Sequence, residues 1–290
     1  MATWSAPGKL FLFGEHAVVY GKPGIAMAIK QRAQVTVHRS KYAQRPNSPY
    51  IAECLNYLDV KGSVYVKSQL PSASGLGSSA AVTVATLFAI NDEFQLGYNK
   101  EEVTGFAHEV ERITQKGRAS ATDTYVSAYG GMVLIRGEEK RRLIPPENFS
   151  IVIGNTLIAH HTVDQVQKVA EFREKSPAVA NPIIDAIGSL TMEAMHNFEN
   201  PRELGTLMNR NQALLDALGA GHPALSRMIL SVCNAGAFGA KLSGAGGGGC
   251  IWTLCPRTAR SRIISAIESC DGKPIPTEID MEGVRKEADA

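Results

Sequence analysis

The stretch that most constrains this chain is Pro71-Ser72-Ala73-Ser74-Gly75-Leu76-Gly77-Ser78-Ser79-Ala80-Ala81, which runs directly into an apolar, alanine- and valine-rich segment ending at Phe94. Glycine bends sharply and lets a backbone approach a ligand with no side chain in the way. Ser78 or Ser79 suits a helix N-cap, and Val82, Ala85, Leu87, Phe88 and Phe94 supply a mostly helical apolar face. A glycine loop that opens a helix leaves several N–H groups aimed at one spot. Together with the positive end of the helix dipole they favour an anion such as a phosphate. The plain alternative is a loop feeding a buried helix, and the density of glycine and serine argues against it.

With 290 residues the chain has material for two domains. A net charge of +2 is no signature of a nucleic acid or an anionic membrane as partner. The cysteines at 54, 233, 250, 255 and 270 form no CxxC pair and read as reduced thiols of a cytoplasmic protein. Lys9 and Glu15 interrupt the first apolar stretch, so no signal peptide is expected. No uncharged helical run is long enough to span a bilayer.

Residues 10–13 read as a buried strand, entered by Lys9 and left by Gly14-Glu15-His16. Residues 25–29 and 33–38 read as two further strands, and residues 64–66 alternate again. Residues 50–62 support no firm assignment. A helix is expected at about 100–115, with Glu109 and Glu111 both on the flanks of its apolar face. Residues 117–131 read as a second small-residue loop whose one carboxylate is Asp123. An aspartate in a turn ordinarily bonds its own backbone. The charge run at 137–142 reads as a solvated turn, and Pro145-Pro146 as a boundary. Helices are expected at about 163–175, 178–198, 202–217 and 222–236. A helix near 257–270 and a strand near 274–280 follow, and the charged tail after Glu282 should fray. His160-His161 has no partners at metal spacing, and His108-Glu109 fails as a zinc motif because Arg112 stands where histidine is needed.

The run Gly244-Ala245-Gly246-Gly247-Gly248-Gly249 satisfies the G-x-G-x-x-G dinucleotide pattern. An apolar strand follows it, however, not a helix, so the glycines join two strands and do not open a βαβ unit. Glycines gathered at one tip between apolar runs suit a backbone that lies against a ligand.

Taken together, the strand with Lys9, the loop at 71–81 and the tip at 241–250 resemble, in order, the three motifs of the GHMP family of small-molecule kinases. Ala6-Pro7-Gly8-Lys9 followed by Gly14-Glu15-His16-Ala17-Val18-Val19-Tyr20-Gly21 is most similar to the branch that phosphorylates mevalonate, in its compact archaeal form. The resemblance implies an α+β fold of two domains: residues 1–147 like domain 2 of ribosomal protein S5, and residues 148–290 ferredoxin-like. It implies ATP with Mg²⁺, and mevalonate as the small-molecule substrate, meeting in the cleft between the domains. Pro71, Ser72, Ala73, Ser74, Gly75, Leu76, Gly77, Ser78, Ser79, Ala80 and Ala81 would cradle the nucleotide phosphates. Ser79 and Glu111 would ligate Mg²⁺, with Glu109 as the other choice of carboxylate. Asp123 would be the general base and Lys9 its neighbour. Glu15, His16, Thr162, Gly244 and Ala245 would hold the substrate. The family commonly has glycine where this chain has Ala73. Pairing of two copies into a homodimer is allowed by this reading.

Two rival readings are separable. A sister kinase acting on phosphomevalonate, galactose or another small alcohol differs by its preference in a panel of alcohols. An RNA-binding protein built on the S5-like half needs a basic stripe with exposed aromatics. Lys140-Arg141-Arg142 is the only short basic cluster.

Overall fold

The structure, a computed structural model, describes residues 1–40, 48–72, 74–117, 121–145, 150–159 and 162–288. Ala73, Pro146 and His160-His161 lie outside the described residues, as does part of the stretch after Gly117. In chain order the first half comprises β1 (Ala2–Phe13), β2 (Gly24–Arg39), α1 (Pro49–Tyr57), β3 (Gly62–Ser68), α2 (Ser78–Phe94), α3 (Lys100–Thr114), α4 (Ala121–Tyr129), β4 (Met132–Arg136) and β5 (Glu139–Leu143). The second half comprises β6 (Ile151–Asn155), α5 (Thr162–Lys175), α6 (Pro177–Met195), α7 (Pro201–Ala217), α8 (Pro223–Asn234), β7 (Gly239–Ser243), β8 (Cys250–Leu254), α9 (Arg260–Glu268), β9 (Lys273–Thr277) and β10 (Arg285–Lys286).

Strand β1 is buried at all but one of its 12 positions, so it needs neighbours on both edges and cover on both faces. It pairs antiparallel with β2 and with β10 in a sheet ordered β10-β1-β2-β4-β5, with β3 also on β2. Helix α2 packs on this sheet with Ala80, Ala81, Val84, Ala85, Leu87, Ala89 and Ile90 fully buried. A helix apolar nearly all round belongs in an interior. The second sheet is also antiparallel, ordered β7-β8-β6-β9. Helices α6, α7 and α8 each begin with proline, which costs nothing where the N–H has no helical partner.

Several elements differ from the sequence-based expectation, each for a local reason. Residues 25–29 and 33–38 are one strand, which changes neighbours along its length: residues 24–27 pair with β4 and residues 33–39 with β3. Residues 49–57 form α1, begun by Pro49. Asp123 sits in the first turn of α4 and not in a loop. The charge run is a turn followed by β5, an edge strand whose charged side chains discourage further pairing.

One apolar cluster runs across both halves, from Leu10 and Phe13 to Ile153 and Trp252. Phe13 meets Trp252 edge-on with ring centroids 6.2 Å apart, and Ser243 Oγ accepts from the Phe11 N–H at 2.9 Å while donating to the Phe11 carbonyl at 3.1 Å. The tail after Glu282 is anchored, contrary to expectation. Arg32 Nε donates to Ser5 Oγ at 2.8 Å, its Nη2 donates to the Gly283 carbonyl at 2.6 Å, and its Nη1 pairs with Asp280. Ser5 Oγ in turn donates to Glu287 at 2.5 Å. Among the described residues no helix is long and apolar enough to cross a membrane. Replacing Arg32 by Met would leave the buried Asp280 with its two backbone N–H bonds but no cation, at a cost of about 3–5 kcal/mol. Urea unfolding of Arg32→Met checks this, and a loss below about 1 kcal/mol, the range of an exposed pair, would mean the tail is not anchored through this residue.

Candidate active site

Strand β1 and the glycine loop are clasped together. The Lys9 N–H donates to the Leu76 carbonyl at 2.9 Å. Gly77, with φ 69°, is the residue that precedes α2, and a Cβ on it would stand 2.7 Å from Lys9 Cγ. Only glycine suits both that conformation and that distance. The cap position therefore belongs to Gly77, and Ser78 and Ser79 open the helix with their side chains on a cleft. Ser72, Ser74, Gly75 and Gly77 line the same cleft, whereas Leu76, Ala80 and Ala81 are buried in the core beneath it. Pro71 accepts the Ser74 hydroxyl on its carbonyl at 2.9 Å, which folds the loop back on itself.

The glycine tip of the second half closes the cleft. A Cβ on Gly244, where φ is 87°, would lie 3.5 Å from Gly75 Cα, so the two glycine segments abut. The tip is pinned from behind: the Gly247 N–H donates to the Ala220 carbonyl and the Gly249 N–H to the Ile158 carbonyl, each at 2.9 Å. Between loop and tip lies a cavity of about 1230 Å³, whose walls include Lys9, Glu15, His16, Glu111, Asp123, Thr162, Gly244 and Ala245. Residues from the amino-terminal strand, the middle of the chain and the second half thus face one space.

Lys9 Nζ is 3.3 Å from Asp123 Oδ2, and it lies 4.8 Å from the centre of the Phe11 ring. Helix α4 sets the Asp123 position by burying Thr122, Thr124 and Val126 around it. Beside this pair, His16 has a positive φ of 62° with ψ −44°, a backbone that is uncommon outside glycine. Its Nε2 is 2.9 Å from the Ala245 carbonyl. Burial pushes the imidazole pKa down, so the ring is neutral. A carbonyl can only accept, so Nε2 carries the proton and Nδ1 is the ring's acceptor. Glu15 pairs with the fully buried Lys241; burial pushes the carboxyl up and the ammonium down, and their attraction opposes both. Thr162 opens α5 at the rim.

Glu109 and Glu111 of α3 separate cleanly. Glu109 is exposed and accepts from Arg112 Nε at 2.9 Å and Nη2 at 2.7 Å. Glu111 is buried and faces the cleft. Its Oε2 accepts from Gln115 Nε2 at 2.9 Å, and its Oε1 is buried with no partner. Burial first, then the Asp123 carboxylate, push its pKa up to about 7, while Ser79, Lys9 and Gln115 pull it back. An unpartnered carboxylate oxygen beside a hydroxyl is a hard-oxygen pair of the kind a small divalent cation takes. Among the described residues no three His, Cys, Asp or Glu gather as a metal site.

Three residues of the cleft region escaped the sequence reading. Tyr50 and Gln115 stand beside Ser79 and Glu111. Gln115 carried a signal, since four residues from Glu111 is the same helix face. Lys241 carried one too: a lysine inside an apolar strand calls for a buried acid.

A helix-opening glycine loop facing a second glycine tip, with a cation and a carboxylate alongside, defines a small-molecule phosphotransferase. Comparison with known proteins agrees. Residues 48–131 match the GHMP kinases N terminal domain and residues 191–272 the GHMP kinases C terminal domain. A mevalonate kinase of Thermococcus sibiricus is 37% identical over 98% of this chain and 97% of its own length. One of Methanothermobacter thermautotrophicus is 39% identical over 87% of this chain and 89% of its own. The crystal structure of the Methanococcus jannaschii mevalonate kinase superimposes with a TM-score of 0.83 at 25% identity, covering 96% of this chain and 98% of that one. The chain belongs to the GHMP kinase family.

The Glu111 environment predicts a pH effect on stability. Folded, the group keeps its proton up to about pH 7, and unfolded it loses it near 4.5. Its contribution is therefore complete below about pH 4.5 and is lost as the pH rises to about 7. Glu111→Gln removes that dependence and should gain on the wild type across the window, by about 3 kcal/mol at most. Urea unfolding at stepped pH is the check, and parallel curves for the two proteins would refute the assignment.

Proposed function

We propose that this protein transfers the terminal phosphoryl group of ATP to the C5 hydroxyl of mevalonate, giving 5-phosphomevalonate in isoprenoid biosynthesis. The observation that carries the reading is the Lys9–Asp123 pair, 3.3 Å apart, in the cleft that the start of α2 also lines. The names of the curated relatives support the choice of acceptor. Phosphoryl transfer passes through a largely dissociative transition state, so the protein's work is positioning and neutralising charge. The N–H groups at the start of α2 and the serines of the loop hold the phosphates. Asp123 takes the proton from the attacking hydroxyl, and Lys9 steadies the charge that develops on that oxygen. Glu15, His16, Thr162 and the tip at Gly244-Ala245 hold the rest of the acceptor.

Mg²⁺ would be held by the free oxygen of Glu111 and the Ser79 hydroxyl, a hard-oxygen pair of the kind it takes. When bound it supplies positive charge against the phosphates. The unpaired cysteines support a cytoplasmic setting.

The test is ADP release with mevalonate, ATP and Mg²⁺, run beside Asp123→Asn. General-base help is worth roughly 10²–10⁴-fold, so the variant should bind ATP normally and turn over at least about 100-fold more slowly. Near-wild-type turnover would remove Asp123 from this role. A stronger response to another alcohol in a parallel panel would reassign the acceptor.

A further inference from the structure

Lys241 is the one charged side chain among the largest fully buried ones, and nothing so far explains it. It lies in β7 of the second half, while its partner Glu15 follows β1 of the first. Lys241 Nζ donates to Glu15 Oε1 and, at 2.8 Å, to the Leu242 carbonyl. The ring of Phe13 is 5.9 Å away. A buried ion pair is on average no more stabilising than apolar side chains of the same volume. Stability is therefore a poor reason for this one.

The other carboxylate oxygen supplies a better reason. Glu15 Oε2 is buried with no hydrogen-bond partner, yet Glu15 forms part of the cleft wall. Buried acceptors are normally satisfied, and an unsatisfied one lining a site marks where a donor arrives. Lys241 occupies one oxygen from behind and leaves the second for the occupant of the cleft. We propose that Lys241 is a positioning residue for the phosphoryl acceptor: across the junction of the two halves it holds Glu15 so that Oε2 receives an acceptor hydroxyl other than the one Asp123 deprotonates. This rests on the mevalonate reading given above. Ionised mevalonate has only its two hydroxyl groups to donate, and its carboxylate would be repelled by Glu15. With the C5 hydroxyl at Asp123, the tertiary hydroxyl is the donor left for Oε2. The seat for the acceptor is then complete only when both halves are docked.

The experiment is steady-state kinetics on the wild type, Lys241→Met, Glu15→Gln and the double variant. Each is assayed with mevalonate and with its analogue lacking the tertiary hydroxyl, and thermal unfolding is recorded for each. A hydrogen bond to a charged group sets the scale at about ten-fold or more. The wild type should show a KM for the analogue raised by about that factor. Lys241→Met should raise the KM for mevalonate similarly, leave the KM for ATP unchanged, and add no penalty with the analogue. The double variant should match Glu15→Gln. A loss confined to kcat, a penalty that persists with the analogue, or additivity of the two substitutions would overturn the proposal. If Lys241→Met does not fold, the double variant, which buries no charge at this place, decides the matter. Loss of discrimination between mevalonate and the analogue supports the proposal, and full discrimination overturns it. A wild type inactive on mevalonate would refute the functional reading and this proposal with it. A wild type that is active, with variants indifferent to the tertiary hydroxyl, would refute the proposal alone.

Discussion

Gly77 stands so close to Lys9 that a single added carbon would collide with the lysine side chain. Much of the cleft's geometry follows from that contact. The backbone bond from Lys9 to Leu76 makes strand and loop one rigid piece, so the ammonium and the N–H groups at the start of α2 keep a fixed separation. Strand β1 can carry this burden because it is buried on both faces and paired on both edges. Its pairing with β2 shifts register between Pro7 and Lys9 and again between Phe11 and Phe13. Such irregularities re-aim side chains, and here they bracket the segment that delivers Lys9 to the cleft.

The second half completes the site through polar contacts made on an apolar junction. Phe13 and Trp252 supply the apolar contact, and Ser243 ties β7 to the backbone of β1. His16 reaches Ala245, and Lys241 reaches Glu15. Each polar tie joins the turn after β1, or β1 itself, to the strand and tip that carry the glycines. The functional side chains of the first half are thus held partly by residues more than 200 positions later in the chain.

How much of this was legible depended on how local each signal is. The long helices α3, α5, α6, α7 and α8 could be read because their apolar periodicity sustains itself over several turns, and the starts of α3, α6, α7 and α8 carry Asn or Pro. Helix α4 could not, since Ala121-Thr122-Asp123-Thr124 has neither a strong helix former beyond alanine nor a clear apolar stripe, and its helix depends on packing. Helix α1 is short and begins within Ser48-Pro49, which reads as a loop. Of the site, the glycine segments were visible because their composition is unusual wherever they sit. The choice between Glu109 and Glu111 was not, because both flank the same face and only the neighbouring helices decide which is buried. The partnership of Lys241 with Glu15 spans 226 positions, and no local pattern encodes it.

The return of β10 to the first sheet bears on how the protein is made. Ser5 is bonded to Glu287, 282 positions later, and Arg32 is held by Asp280 and Gly283. Contacts this distant slow folding, because a long loop must close before they repay its entropy. On the ribosome, β1 emerges first, and its edge at Thr3–Ser5 stays unpaired until residue 287 has cleared the exit tunnel. During all of that time the nascent polypeptide presents an open strand edge to its surroundings. An open strand edge is a template for pairing with other chains, so the early strand is the part of the unfinished chain most exposed to aggregation.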